Sequence, residues 1–254
     1  MALVVDGDHP GTPASEWRSS SNVTSLAPLE LPVGGKAVVV SPHPDDEVLG
    51  AGGLMQALLA AGGSLTILAV TDGESSHPRS TTAKSLDMRS IRSAETYQAL
   101  HRLGWEVPLV TRLQIPDGKV GDNTGRLRRA LAAMLEPGDL CIGPWRLDGH
   151  PDHDACGVAI ASVASELGIV SLAYLVWALH WANPQHPEIP WSSCRRLEMT
   201  TRATAQKRWA TGAFRSQIRP LGPDVEDSEV LPTPVLRRHW QSYEIFIDSR
   251  ADAK

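Results

Sequence analysis

Cysteine is scarce in this chain: Cys141, Cys156 and Cys194 are the only three, an odd number without Cys-x-x-Cys spacing. That argues against a disulfide framework or a cysteine-ligated zinc site, and the three read as small buried apolar side chains. No apolar stretch reaches bilayer-spanning length, and the N-terminus lacks a charged segment followed by an apolar one. A cytoplasmic protein without a membrane span is expected. Basic charge is also short, with 24 Lys and Arg against 29 Asp and Glu for a net charge of −5, which speaks against nucleic acid or an anionic membrane as the main partner. No internal repeat or low-complexity tract is present.

What the chain does have is enough length and apolar content, 254 residues and 42% hydrophobic, for one large α/β domain with a buried core. Residues 1–35 are rich in Pro, Ser, Gly and Asp without periodicity and suggest a partly irregular N-terminal arm; the domain proper is expected over 36–250. Ala37-Val38-Val39-Val40 reads as a strand buried on both faces of a parallel sheet. Strands are further expected over 64–71, 108–113 and 139–142, with helices over 49–61, 86–103, 124–135 and 154–167, several closed by glycine. This alternation predicts a Rossmann-like, mostly parallel sheet flanked by helices, in a single domain.

Two clusters then fall on one edge of that sheet. Ser41-Pro42-His43-Pro44-Asp45-Asp46-Glu47 follows the first strand, and His150-Pro151-Asp152-His153 follows the strand over 139–142; ligands of open α/β sheets bind beyond the carboxyl ends of strands. One carboxylate and two imidazoles, such as Asp46, His43 and His153, form a three-ligand set that leaves a position open for water, the pattern of catalytic zinc. A divalent ion there acidifies its water and polarises a carbonyl. Asp45 is then placed to act as general base, His150 to stabilise charge on the carbonyl oxygen, and Asp152 to orient that imidazole.

Plainer readings compete. A single His-Pro-Asp is more often a turn than a ligand set, and the weight rests on having two at matching strand ends. Gly50, Gly52 and Gly53 lack the third glycine and the acidic residue of a dinucleotide loop. Trp177, His180, Trp181 and Trp191 offer either an aromatic wall for a sugar ring or core packing. Arg79 and Arg89 offer a grip on a phosphate or sugar hydroxyl, while Arg92 and Glu95 read more simply as an intrahelical ion pair. Asp224 to Glu229 reads as a solvated loop. A phosphoester hydrolase would need a second metal or a phosphate-gripping cluster, and no second carboxylate-rich ligand set is evident in the sequence. A metal-dependent hydrolase of another amide or ester, and a non-catalytic binding protein on the same scaffold, remain open.

The two motifs, together with Val70-Thr71-Asp72-Gly73-Glu74, Arg92-x-x-Glu95, Ile115-Pro116-Asp117 and Phe214-Arg215-Ser216-Gln217, resemble the PIG-L/LmbE-like family of zinc-dependent N-deacetylases over about residues 36–217. The resemblance implies one Zn2+ on His43, Asp46 and His153, Asp45 as base, His150 at the oxyanion or leaving amine, and Asp152 tuning His150. It implies removal of an acetyl group from an N-acetylglucosamine-type small molecule through a metal-bound water. Asp117, Arg79, Arg89 and Trp177 are the expected substrate contacts. Two positions depart from the pattern. Phe214 stands where the family has a histidine, and Asp148 stands where some members have a tyrosine. The carrier of the sugar and a homo-oligomeric state are left open.

Overall fold

The computed structural model describes residues 10–31 and 36–252. Of the expected arm, residues 1–9 and 32–35 lie outside the described residues; within it run α1 (Ala14–Ser19) and α2 (Ser21–Thr24). The body follows as β1 (Lys36–Ser41), α3 (Asp46–Ala60), β2 (Ser64–Ala69), α4 (Thr81–Ser85), α5 (Met88–Arg102), β3 (Val110–Arg112), α6 (Thr124–Met134), β4 (Leu140–Pro144), α7 (Pro151–Leu167) and β5 (Val170–Tyr174). The chain then passes through α8 (Ala178–Trp181), β6 (Cys194–Glu198), α9 (Thr201–Thr211), α10 (Arg215–Ile218) and α11 (Thr233–His239) to β7 (Tyr243–Asp248).

These strands form one seven-stranded sheet in the order β3-β2-β1-β4-β5-β7-β6. The pairs from β3 to β5 are parallel, while β7 runs antiparallel to both β5 and β6. The expected single-domain α/β fold with a mostly parallel sheet is what the chain adopts. Alternation within β1 shows why: Ala37 and Val39 enter the core beneath α3, α5 and α9, whereas Val38 and Val40 enter the core beneath α6 and α7. A β-branched run is thus spread over two apolar layers, as a central parallel strand requires. A third cluster joins Trp17 and Val23 of the arm to Leu175, Tyr243 and Ile245. All three cysteines are free and buried.

Where element ends differ from expectation, local chemistry accounts for it. α3 begins at Asp46, not at residue 49, because the Asp45 carbonyl accepts the Val48 and Leu49 amides. The segment expected as one helix over 86–103 splits into α4 and α5 where Leu86 turns extended and the Asp87 side chain caps the Ser90 amide. α7 begins at Pro151, not at 154, with proline in its first turn, where no amide is needed. β5, β6 and β7 were not foreseen. β6 carries Arg195, Arg196 and Glu198 and so shows no apolar run, and the pairing of β7 buries a charge at Glu244.

That charge explains the glycines after the first motif. α3 is interrupted at Ala51, at φ −137° and ψ 17°, and the carboxylate of Glu244 accepts the Gly53 amide at 2.6 Å and the Leu54 amide at 2.9 Å. Lys207 Nζ neutralises the same carboxylate at 2.6 Å. A Cβ at Gly50 would strike the Tyr174 ring and one at Gly53 the Met199 side chain. These glycines serve close packing, not a phosphate loop.

Candidate metal centre

The sheet reverses its direction of growth between β1 and β4, and both acid-histidine loops lie at the carboxyl ends of these adjacent strands. The first loop is held from beneath by Glu47, fully buried, whose Oε2 accepts the Ser41 hydroxyl at 2.6 Å and the Asp45 amide at 3.1 Å. Asp45 itself sits at φ 132°, a conformation that costs a non-glycine residue about 1–3 kcal/mol and persists only where its surroundings over-determine it. Arg92 completes that restraint. Its Nη2 donates to Asp45 Oδ2 at 2.9 Å and to the Pro44 carbonyl at 2.7 Å, and Nη1 donates to the Gly73 carbonyl at 2.8 Å. The expected Arg92–Glu95 pair does not form: Glu95 takes the amide and hydroxyl of Ser216 at 2.8 and 2.7 Å. Both side chains are buried and point across the helix to different elements.

Three acceptor atoms converge above this loop. His43 Nδ1 lies 3.2 Å from Asp46 Oδ2, His153 Nε2 lies 3.1 Å from the same oxygen, and the two ring nitrogens are 3.3 Å apart. Lone pairs facing one another so closely repel unless a proton or cation lies among them. Tetrahedral zinc with bonds of about 2.0–2.2 Å sets its ligand atoms about 3.3–3.5 Å apart, so the triangle fits such an ion. Without one, protons serve. Burial disfavours a charged His153 ring, but Asp46 and Asp148 outweigh it and raise the pKa to about 9. Burial would likewise raise Asp46, yet His153 and His43 hold it far below the usual carboxylate range. His150 brings a ring nitrogen within 4.8 Å of those of His43 and His153.

Asp148, noted in the sequence only as a departure, supports the triangle from behind. Fully buried, it accepts His153 Nδ1–H at 2.8 Å and the amides of Val176, Trp177 and Ala178, each at 3.0 Å. This fixes His153 with Nε2 toward Asp46.

The other edge of His43 carries a second set that the sequence did not reveal. Nε2 lies 3.2 Å from Asp152 Oδ2 and 3.3 Å from Asp117 Oδ1. Asp152 therefore does not hold the His150 ring with its carboxylate. That carboxylate accepts the Gly118 and Val120 amides at 2.7 and 3.1 Å and faces His43. Its link to His150 runs through the backbone, the Asp152 amide donating to His150 Nδ1 at 3.2 Å. His150 is thereby a neutral ring with its proton on Nε2, and burial, with the nearby His43 and His153, lowers its pKa to about 3.

The expected substrate contacts divide. Trp177 is half-buried and stacks on His150 with ring centroids 6.0 Å apart at 22°, and Asp117 reaches His43. Arg89 is exposed, pairing with Glu74 at 2.5 Å and lying 3.7 Å from Asp72. Arg79 is exposed and has no hydrogen bond or ion pair among the described residues. Trp191 packs on Trp17 of the arm and, with Trp181, against the third core cluster, which is the packing role weighed for it. Asp227, expected in a solvated loop, is buried and accepts the Ser80 and Thr82 hydroxyls.

Comparison with known proteins gives a consistent picture. The family model described as PIG-L, GlcNAc-PI de-N-acetylase, matches residues 38–164 and takes in both acid-histidine loops. A 1D-myo-inositol 2-acetamido-2-deoxy-alpha-D-glucopyranoside deacetylase of Corynebacterium diphtheriae is 29% identical over 168 residues, 57% of this chain and 57% of that relative. The chain thus matches little more than half the length of this curated relative. Among solved structures, the zinc inhibited form of a teicoplanin deacetylase has a TM-score of 0.63 at 16% identity, covering 84% of this chain and 97% of that one. The N,N'-diacetylchitobiose deacetylase of Pyrococcus horikoshii has a TM-score of 0.55 at 20% identity, covering 74% and 71%. At these identities the two structures establish a common fold.

Proposed function

This chain belongs to the PIG-L family of GlcNAc-PI de-N-acetylases, and from that premise we propose that it is a metal-dependent hydrolase that removes the acetyl group from an N-acetylglucosamine-type small molecule. The observation that carries the reading is the triangle of His43 Nδ1, Asp46 Oδ2 and His153 Nε2, with edges of 3.1–3.3 Å. These atoms would hold one zinc ion, which when bound polarises the acetamide carbonyl and acidifies the attacking water.

The chain's own groups handle the proton and the charge. Arg92 occupies Asp45 Oδ2, leaving Oδ1 as the oxygen that takes the water proton. Burial pushes the Asp45 carboxyl up to about 8 against the pull of Arg92, and positive charge in the triangle favours the carboxylate form that a base requires. As water attacks the carbonyl carbon, His150 Nε2–H donates to the oxygen on which negative charge grows. The C–N bond then breaks, the departing nitrogen takes the proton from Asp45, and acetate and a free amine are released. Trp177 offers a flat apolar face for a sugar ring beside His150, and Asp117 Oδ1 is placed to accept a ring hydroxyl.

The set on the far edge of His43 supports a rival, a two-metal phosphoester hydrolase. Distance decides against it. Ions on opposite nitrogens of one imidazole would stand about 6 Å apart, whereas two-metal clamps work at about 3.5–4 Å.

The test measures amine released by zinc-loaded protein from N-acetylglucosamine conjugates and from acetylated lysine peptides of similar size. Turnover of the sugars is expected. Preference for the peptides overturns the substrate class, and release from neither overturns the hydrolase.

A further inference from the structure

The far edge of His43 presents an imbalance of charge. Asp117 and Asp152 are largely buried, and among the described residues the ion-pair partner of each is His43, with no lysine or arginine at ion-pair distance and Arg92 acting on Asp117 from further off. Among neighbouring carboxylates, Asp45 is paired with Arg92, Asp72 with Arg112 and Glu74 with Arg89, while buried Glu47 is held by the Ser41 hydroxyl and the Asp45 amide. Once His43 gives Nδ1 to a resident ion, its ring keeps one proton on Nε2 and is neutral. Two carboxylates then share a single N–H, the usual support behind a metal-bound imidazole but with one acceptor more than that N–H needs.

Geometry supplies the remedy. His43 Nε2, Asp117 Oδ1 and Asp152 Oδ2 lie within 4.8 Å of one another. The carboxylates are already fixed from behind, Asp117 by the Ser75 amide at 2.8 Å on Oδ2 and Asp152 by the Gly118 and Val120 amides. Each retains a lone pair toward the common centre. An imidazole nitrogen with two carboxylate oxygens is a ligand set suited to a divalent transition ion.

We propose that His43 Nε2, Asp117 and Asp152 form a second, weaker divalent-cation site whose occupation inhibits the enzyme. This rests on the reading of His43, Asp46 and His153 as the resident set. The entering ion displaces the Nε2 proton to solvent, leaving His43 as a bridge between two ions, and that lost proton is why the site is the weaker one. Inhibition follows because the ion takes Asp117 Oδ1, the acceptor for a sugar hydroxyl, and alters the charge on a ligand of the resident ion.

The experiment titrates chelator-stripped protein with cobalt(II), following stoichiometry by equilibrium dialysis and ligand field by visible absorption. A tight first equivalent and a weak second one are expected, with amine release falling as the second binds and recovering as substrate is raised. Asp117→Asn and, independently, Asp152→Asn should weaken the second event about 10- to 100-fold more than the first, which each carboxylate touches only through the His43 Nε2–H it accepts, and binding of the first equivalent also reports that each variant folds. A single tight event up to millimolar cobalt(II), or a second event unchanged in both variants, overturns the second site alone. Loss of the tight event in the unmodified protein overturns the resident-ion reading and this one with it.

Discussion

Asp148→Asn tests the centre through a residue that need not touch substrate. The wild-type carboxylate satisfies four buried donors: Oδ2 receives His153 Nδ1–H and the Trp177 amide, and Oδ1 receives the Val176 and Ala178 amides. An asparagine keeps one oxygen and so accepts one of these pairs. If the oxygen keeps the Val176 and Ala178 amides, the new NH2 faces two N–H donors. Each orphaned buried donor costs about 1–3 kcal/mol, so the pair costs about 2–6 kcal/mol of a total near 5–15 kcal/mol. His153 escapes part of the cost by moving its proton to Nε2 and accepting from the asparagine on Nδ1. That places a hydrogen on the atom that faces Asp46, and zinc affinity should fall about 10- to 100-fold. Urea unfolding with and without zinc, and competition dialysis for affinity, are the assays. Wild-type zinc affinity together with an unchanged urea midpoint would refute the argument, since both consequences follow from the same lost acceptor.

Other outcomes follow from single residues. Asp45→Asn should retain the metal while amine release drops about 10²- to 10⁴-fold; if metal analysis shows the site emptied, Asp45 is a ligand instead. Lys207→Met leaves the Glu244 carboxylate buried without its cation and should cost about 3–5 kcal/mol, read as a lower urea midpoint, with no change there counting against a structural ion pair. His239 is held neutral in the fold, burial and then Lys207 and Arg238 lowering its pKa from 6.5 to about 3. Because the unfolded chain takes up that proton first, its contribution to stability is complete above about 6.5 and is lost as pH falls toward 3; His239→Gln should flatten the urea midpoint over this range, and an identical slope in both proteins would contradict it.

Most of the parallel half of the sheet was legible because each βαβ unit writes its own signals, such as the β-branched run at 37–40 and the glycine at 168 that closes α7, although the cap at Asp87, the proline opening α7 and the short strand β5 were passed over. The antiparallel half writes fewer. β6 breaks its apolar pattern with Arg195, Arg196 and Glu198, and β7 hides Glu244, whose burial makes sense only once the break in α3 at Ala51 and the reach of Lys207 are known. The candidate site divides along the same line. His43, Asp46 and His153 stand at two strand ends and advertise themselves by residue type. Asp148 does not, because its significance lies in the amides of 176–178 and the imidazole of His153 brought close by the sheet order, and Asp117, singled out as a substrate contact, gave no sign of its approach to His43.

Phe214, which departs from the family pattern, has a structural place of its own. It is fully buried in the main core beside Ala210, Ala213 and Leu231, so the backbone at this position directs its side chain inward. The residues that follow it make contacts of their own. Ser216 binds Glu95 of α5, and Gln217 Nε2 donates to the Ser216 hydroxyl at 2.9 Å while its carbonyl accepts the Leu231 amide at 2.8 Å. Serine and glutamine thus tie α10 to α5 and to the 231 segment whether or not an imidazole precedes them. In this chain the imidazoles at the centre come from the loops after β1 and β4. In the proposed mechanism, proton transfer and oxyanion stabilisation fall to Asp45 and His150, and a substitution in either loop should then alter turnover where one in α10 should alter stability.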